Sequence, residues 1–182
     1  MLVTGFGPFP GVPYNPTTSL AIAIDGLELD GLRFVGRVIP VTWQSGPDAA
    51  IAHAGAVGAD AVVGTGVAPR PVLCVERVAV RVEVGRPDAA GATGPDRDAR
   101  DRDALPLAVY ATLDPVRLAD ALGATLSDDA GRYVCNQWLY RVAAALPVPV
   151  GFVHVTPRGL PSEQLAAAIA RTLRPAQRAD TA

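Results

Sequence analysis

Thiol and imidazole are scarce in this chain of 182 residues: two cysteines, Cys74 and Cys135, and two histidines, His53 and His154. A thiol nucleophile needs a neighbouring base, so few pairings are open. Cys135 lies in DDAGRYVCNQWLYR, residues 128–141, where Val134, Trp138 and Val142 fall on one helical stripe that Leu139 and Leu146 widen. The spacing predicts a helix opening at Cys135, with Gly131 allowing a tight turn ahead of it. In a first helical turn a thiol faces backbone N–H groups that lack partners and favour thiolate over thiol. Cysteine is also a common core residue, so this position alone leaves packing as the competing reading.

His154 has the better address of the two bases. It lies near the end of GFVHVTP, just before a Pro157-Arg158-Gly159 turn, and catalytic groups in parallel α/β folds gather at the carboxyl ends of strands. A histidine satisfied at the edge of the core is the alternative, while His53, inside an alanine-rich helix, reads as crossover packing or surface. Glu76 offers a third group. Alternation along CVERVAVRVEV, residues 74–84, places Glu76 on the side of Val78, Val80, Val82 and Val84. A carboxylate on an apolar face needs a partner. Behind His154 it would fix the ring's tautomer and stabilise the imidazolium; an ion pair with Arg70 or Arg77 is the other explanation. Cys74 begins the same strand and reads as core or pocket lining. In TGFGPFPG, Pro8 and Pro10 hold Phe6 and Phe9 on a rigid turn at a strand's end, a wall suited to a flat polar ring, with core packing again the alternative.

Other chemistries find no support. The same prolines interrupt any phosphate-binding turn after the first strand, and no Gly-Lys-Ser/Thr follows. The cysteines and histidines are too far apart in sequence for a close metal-ligand pair, so no metal and no cofactor is expected. With 49% hydrophobic and 19% charged residues and a formal net charge of -2, the composition is globular and lacks a basic block for nucleic acid. The opening MLVTGFGPF shows no signal-length apolar run and the alanine-rich stretches are too interrupted to span a bilayer, so a cytoplasmic protein without membrane partners is expected.

The elements that must position these residues alternate between β-branched runs and alanine- and leucine-rich helices, the order of an α/β fold with a largely parallel or mixed sheet. Strands are predicted at 2–6, 34–41, 61–67, 74–84 and 149–156. Helices are predicted after Asn15, around Pro47, after the Asp114-Pro115 cap, from Cys135, and from Ser162 with Leu165, Ile169 and Leu173 on one face. Length argues for one domain over 1–182, with an irregular loop at 85–103 bordering the site and a flexible tail at 174–182.

At four places the chain resembles the pyrrolidone-carboxylate peptidases, or pyroglutamyl peptidases type I, cysteine peptidases of clan CF. TGFGPFPGVPYNPT at 4–17 is similar to the family's opening TGF-x-PFGG with its following NPS or NPT, and carries Phe6, Phe9 and Asn15. VERVAVR at 75–81 is similar to PERVAIN and sets Glu76 on the family's glutamate. AGRYVCNQWLY at 130–140 and GFVHVTP at 151–157 set Cys135 on the nucleophile and His154 on the base. The resemblance implies a three-layer α/β/α sandwich, a Cys-His-Glu triad, and a cytoplasmic homodimer or homotetramer that removes N-terminal pyroglutamate from peptides without a cofactor. It further implies that Phe6, Phe9, Asn15, Thr65 and, more weakly, Arg86 meet the substrate. The chain departs from the pattern at Pro10-Gly11, where a glycine pair is usual, at Thr65, where a pocket glutamine is usual, at Arg81 and at Ala89. These departures keep open a cysteine amidase or aminopeptidase with another small N-terminal substrate, and an inactive binding protein on the same scaffold.

Overall fold

Caps and glycine stops written into the sequence set where the chain changes direction. In the computed structural model, which describes residues 1–67, 72–95 and 106–174, the chain runs β1 (Leu2–Phe6), α1 (Pro16–Ile24), β2 (Glu28–Leu29), β3 (Leu32–Arg33), β4 (Val35–Ile39), α2 (Ser45–Ala56), β5 (Val62–Val67), β6 (Cys74–Glu76), β7 (Val78–Val80) and β8 (Ala108–Tyr110). It continues through α3 (Pro115–Leu122), β9 (Thr125–Ser127), α4 (Val134–Ala145), β10 (Val150–Val155) and α5 (Ser162–Leu173). Asn15 caps α1 by accepting the Thr17 N–H at 3.1 Å. Asp114 accepts those of Val116 and Arg117, and Gly123, at φ 62°, stops α3 in the left-handed conformation that a side chain disfavours.

The main sheet has the order β4-β1-β5-β10-β6-β9. Its first four strands are parallel, β6 runs antiparallel to β10, and β9 runs parallel to β6. On one face, α1, α3 and α5 bury Leu20, Ile24, Leu118 and Ile169 against Val3, Val63, Val75 and Val153. On the other, α2 and α4 bury Ala50, Trp138 and Val142 against Leu2, Val62, Val150 and Phe152. This is the expected three-layer α/β/α arrangement around a mixed sheet. Where the open sheet changes strand direction, at β10 and β6, the carboxyl ends of the parallel strands meet a crevice. No described helix is long and apolar enough to cross a membrane.

Two expectations change. The single strand expected at 74–84 is two strands in two sheets: β6 stops at Glu76, and β7 pairs with β8 in a separate hairpin. Arg77 is the break, its N–H donating to Ser127 O at 2.8 Å, its carbonyl accepting from Ala111 N at 2.8 Å, and its exposed guanidinium paired with Asp128. Beyond it Ala79 and Val82, three apart, are the buried positions, while Val84 is 77% exposed, so the alternation from Glu76 to Val84 does not describe one face.

The described part of the expected irregular loop, 85–95, is irregular yet well tied. The buried carboxylate of Asp88 accepts from Trp43 N at 2.8 Å, Ala90 N at 2.8 Å and Ala92 N at 3.0 Å, fastening the segment to the chain ahead of α2. The rest of that loop and the tail beyond 174 lie outside the described residues. Replacing Asp88 by alanine strands three backbone donors, and the expected loss is about 2–4 kcal/mol of unfolding free energy, read from the urea midpoint. A midpoint equal to the parent's would show that the carboxylate does not hold the loop.

Candidate active site

His154 lies on β10 with its side chain on the α2/α4 face, continuing the alternation of Val150 and Phe152, and Phe152 packs edge-on to the imidazole at 5.0 Å between ring centroids. Across the antiparallel junction its register partner is Cys74, so Glu76, two residues further along β6, projects from the same face. There the Nδ1–H of His154 donates to Oε1 of Glu76 at 2.7 Å, with His154 6% and Glu76 2% exposed. The expectation that Glu76 is a buried carboxylate facing His154 therefore holds, although the alternation that suggested it does not.

Cys135 is the second residue of α4, close to the opening position expected. Tyr133 is the N-cap residue and makes no side-chain capping bond, so the first-turn N–H groups beside the thiol are left for another acceptor. Gly131, at φ 77°, makes the turn that brings the chain into the helix. The sulfur reaches the sheet because β5 is glycine beneath it: a Cβ on Gly66 would lie 2.7 Å from Cys135 Sγ. Gly64 gives way in the same manner to Trp138 and Phe152. Asn136 then locks the helix start to β7, accepting from Val80 N at 2.8 Å and donating to Val80 O at 2.7 Å.

Cys135 and Glu76 both act on the charge of the imidazole. Burial pulls the imidazolium of His154 down, but the hydrogen bond and charge of Cys135, followed by those of Glu76, outweigh it and raise the group from 6.5 to about 10. The ring thus holds its second proton through neutral pH.

The thiol and imidazole open into a cleft of about 990 Å³, lined on one side by Phe6, Phe9, Val12, Val41, Arg86 and Tyr133 and on the other by Cys74, Thr125 and Ser127. Phe9 and Val12 close a tight turn by mutual backbone bonds, with Gly11 at φ 83° behind Pro10. Asn15 lines the cleft as well, but its polar atoms are spent within the protein: Nδ2 donates to Gly7 O at 3.1 Å and Oδ1 accepts from Thr17. Its work is to shape the turn that carries the phenylalanines. Arg86 lies 4.0 Å over the Tyr133 ring, and the Tyr133 hydroxyl donates to Pro87 O at 3.0 Å, so the residue is fixed beside the start of α4. Cys74 lines the cleft, and no disulfide joins it to Cys135.

Thr65 is a correction. It alternates with Gly64 and Gly66 toward the opposite face of the sheet, is 1% exposed, and donates its hydroxyl to Thr4 O at 2.9 Å. It is absent from the cleft wall, as are Arg81, which pairs with Glu83 at 3.0 Å, and Ala89, whose N–H donates to Val41 O.

An imidazole held between a buried carboxylate and a thiol at an uncapped helix start can take the thiol's proton and hand it to a departing group. On an α/β/α sandwich, with an open cleft above the sulfur, these parts define a cysteine hydrolase. The chain belongs to the pyroglutamyl peptidase family, whose model matches residues 1–172. A pyrrolidone-carboxylate peptidase of Chromobacterium violaceum is 34% identical over 163 residues, covering 85% of this chain and 76% of that protein. One from Mycobacterium marinum is 34% identical over 188 residues, covering 95% and 82%. The crystal structure of pyrrolidone carboxyl peptidase from Thermus thermophilus superposes with a TM-score of 0.77 at 32% identity, covering 94% of this chain and 97% of that one.

Proposed function

We propose that this chain hydrolyses the amide bond after an N-terminal pyroglutamyl residue, with Cys135 as nucleophile, His154 as acid and base, and Glu76 as the group that orients and charges the imidazole. The observation that carries the proposal is His154 itself, held by Glu76 at 2.7 Å and raised to about 10 beside Cys135, at the floor of a cleft walled by Phe6 and Phe9. With Nδ1 committed to Glu76, Nε2 serves the sulfur. The thiolate of Cys135 attacks the pyroglutamyl carbonyl carbon, a C–S bond forms, and the carbonyl electron pair moves to oxygen, where first-turn N–H groups of α4 receive the charge. Collapse expels the amine, which takes the Nε2 proton. Water then gives a proton back to Nε2 as its oxygen attacks the thioester, releasing pyroglutamate and restoring the thiolate and imidazolium.

Substrate choice follows from the cleft's other wall. The lactam is uncharged and flat, and the side chains of Phe6, Phe9, Val12 and Val41 can cover it. Prolyl and glutamyl termini carry an ammonium, which these four apolar side chains cannot pair. None of Thr65, Arg81 and Ala89 is among the described residues that line the cleft, whereas the Pro10-Gly11 departure borders it in the turn beside Phe9. A pyroglutamyl-amide reporter is accordingly expected to release its amine with a kcat/KM at least about a hundredfold above the matching prolyl and glutamyl reporters. Equal rates on all three would remove pyroglutamate as the substrate, and no release from any of them by folded protein would leave the scaffold without this activity.

A further inference from the structure

The cleft holds more than the lactam. Its volume of about 990 Å³ lies at the top of the range, roughly 300–1,000 Å³, of sites that enclose a drug-sized ligand, and a single five-membered ring fills a small part of it. Phe6, Phe9 and Arg86 account for the wall on the β1 side. What remains lies across β6 and β9, on the far side of His154.

Proton delivery decides what goes there. The departing nitrogen must lie against Nε2 of His154 to receive its proton, and on the β5 side of that ring the space belongs to Cys135 Sγ, seated over Gly66. The released residue therefore extends over β6. Cys74 is the register partner of His154, and Thr125 is the register partner of Cys74, so one row of side chains crosses the sheet from the imidazole to its edge. Strands are about 4.8 Å apart, and an extended peptide advances about 3.3–3.6 Å per residue. The first released residue then meets Cys74, and the second or third meets Thr125. The flank is built from short side chains, with Ser127 beside Thr125 in the cleft, and the Cys74 thiol is drawn toward Val72 O at 3.5 Å. Short residues at successive positions leave a shallow depression.

Resting on the pyroglutamyl reading above, we infer that Cys74 and Thr125 form the subsite for the released part of the peptide, with Cys74 setting how large the first released residue can be. The depression takes a residue of leucine size with its backbone extended across the sheet. Cys74 acts through fit and has no part in the covalent steps.

The test compares kcat/KM on pyroglutamyl-glycyl, pyroglutamyl-leucyl and pyroglutamyl-glycyl-leucyl amides for the parent, Cys74→Phe and Thr125→Trp. Cys74→Phe is expected to lower the leucyl-to-glycyl ratio at least about tenfold, the scale of one or two misplaced methylenes. Thr125→Trp is expected to lower the ratio of the longer amide to the glycyl amide by a similar factor and to spare the leucyl-to-glycyl ratio. Ratios within about twofold of the parent in both variants, or equal losses on every substrate, would overturn the assignment, since a structural defect lowers all rates together. Thr125 is exposed on an edge strand, so Thr125→Trp decides alone should Cys74→Phe fail to fold by thermal melting. A parent inert on all three amides would instead strike the pyroglutamyl reading, a result distinct from altered ratios in an active enzyme.

Discussion

Changing Cys135 to alanine is expected to lower kcat/KM for a pyroglutamyl amide about 10⁵-fold while the protein keeps its fold. The size of the loss follows from what the sulfur does. Without it no C–S bond forms, and the remaining cleft, N–H groups and imidazole can only bind substrate beside water. The fold survives because the side chain is small and half-buried at a helix start, whereas the helix itself is held by Trp138, Leu139 and Val142 in the core and by Asn136 on Val80. The expected stability change is about 1 kcal/mol, within the range for removing one small contact. Stopped assays with a pyroglutamyl-amide reporter and a thermal melt on the same preparation check both halves. A folded Cys135→Ala variant with more than about a tenth of the parent rate would exclude the thiol as nucleophile, because binding and electrostatics alone do not recover that much.

Much of the layout was legible because it is local. Apolar strands, the Asn15 and Asp114 caps and the stripe after Cys135 each fix an element from a few neighbouring residues, and the sandwich follows from their order. Glu76 shows the limit of such reasoning. Its burial was inferred from an alternation that Arg77 interrupts, and the actual cause is a register across β10 that joins residues 78 apart in sequence. The two glycines of VVGTGV did carry a readable signal, since glycines at alternate positions of a buried strand mark a face approached by something else, here Trp138 and the sulfur of Cys135. Asp30-Gly31 between Leu29 and Leu32 is likewise a short-range hairpin signal, and it produces β2 and β3. Thr65 was misplaced because a motif position was carried over without asking which face of the strand it occupies. The seat of Arg86 on Tyr133 had no local signature at all, being made by two segments that meet only in the folded chain.

Replacing Glu76 with glutamine is expected to reduce kcat about 10³- to 10⁴-fold and to move the alkaline limb of kcat/KM to lower pH. The carboxylate does two things that an amide cannot do together. It accepts from Nδ1, which fixes the ring, and its charge holds the imidazolium that, in the proposed mechanism, protonates the leaving amine. In the parent, the imidazolium near 10 places the alkaline limb close to pH 10, well above that of an ordinary histidine. Cys135 contributes more to that elevation than Glu76, so the variant's limb should fall only part of the way toward 6.5. Stability follows with the same sign. A folded-state value above the unfolded one gives stabilisation that is complete below about pH 6.5 and lost as pH rises through about 10, so Glu76→Gln should be most destabilised relative to the parent at and below neutral pH and should approach it in strong alkali. Paired pH–rate and pH–stability curves on the two proteins measure this. Superimposable limbs with a depressed kcat would mean that Glu76 only positions the ring, and superimposable curves in both experiments would remove it from the machinery, leaving Cys135 and His154 as a pair.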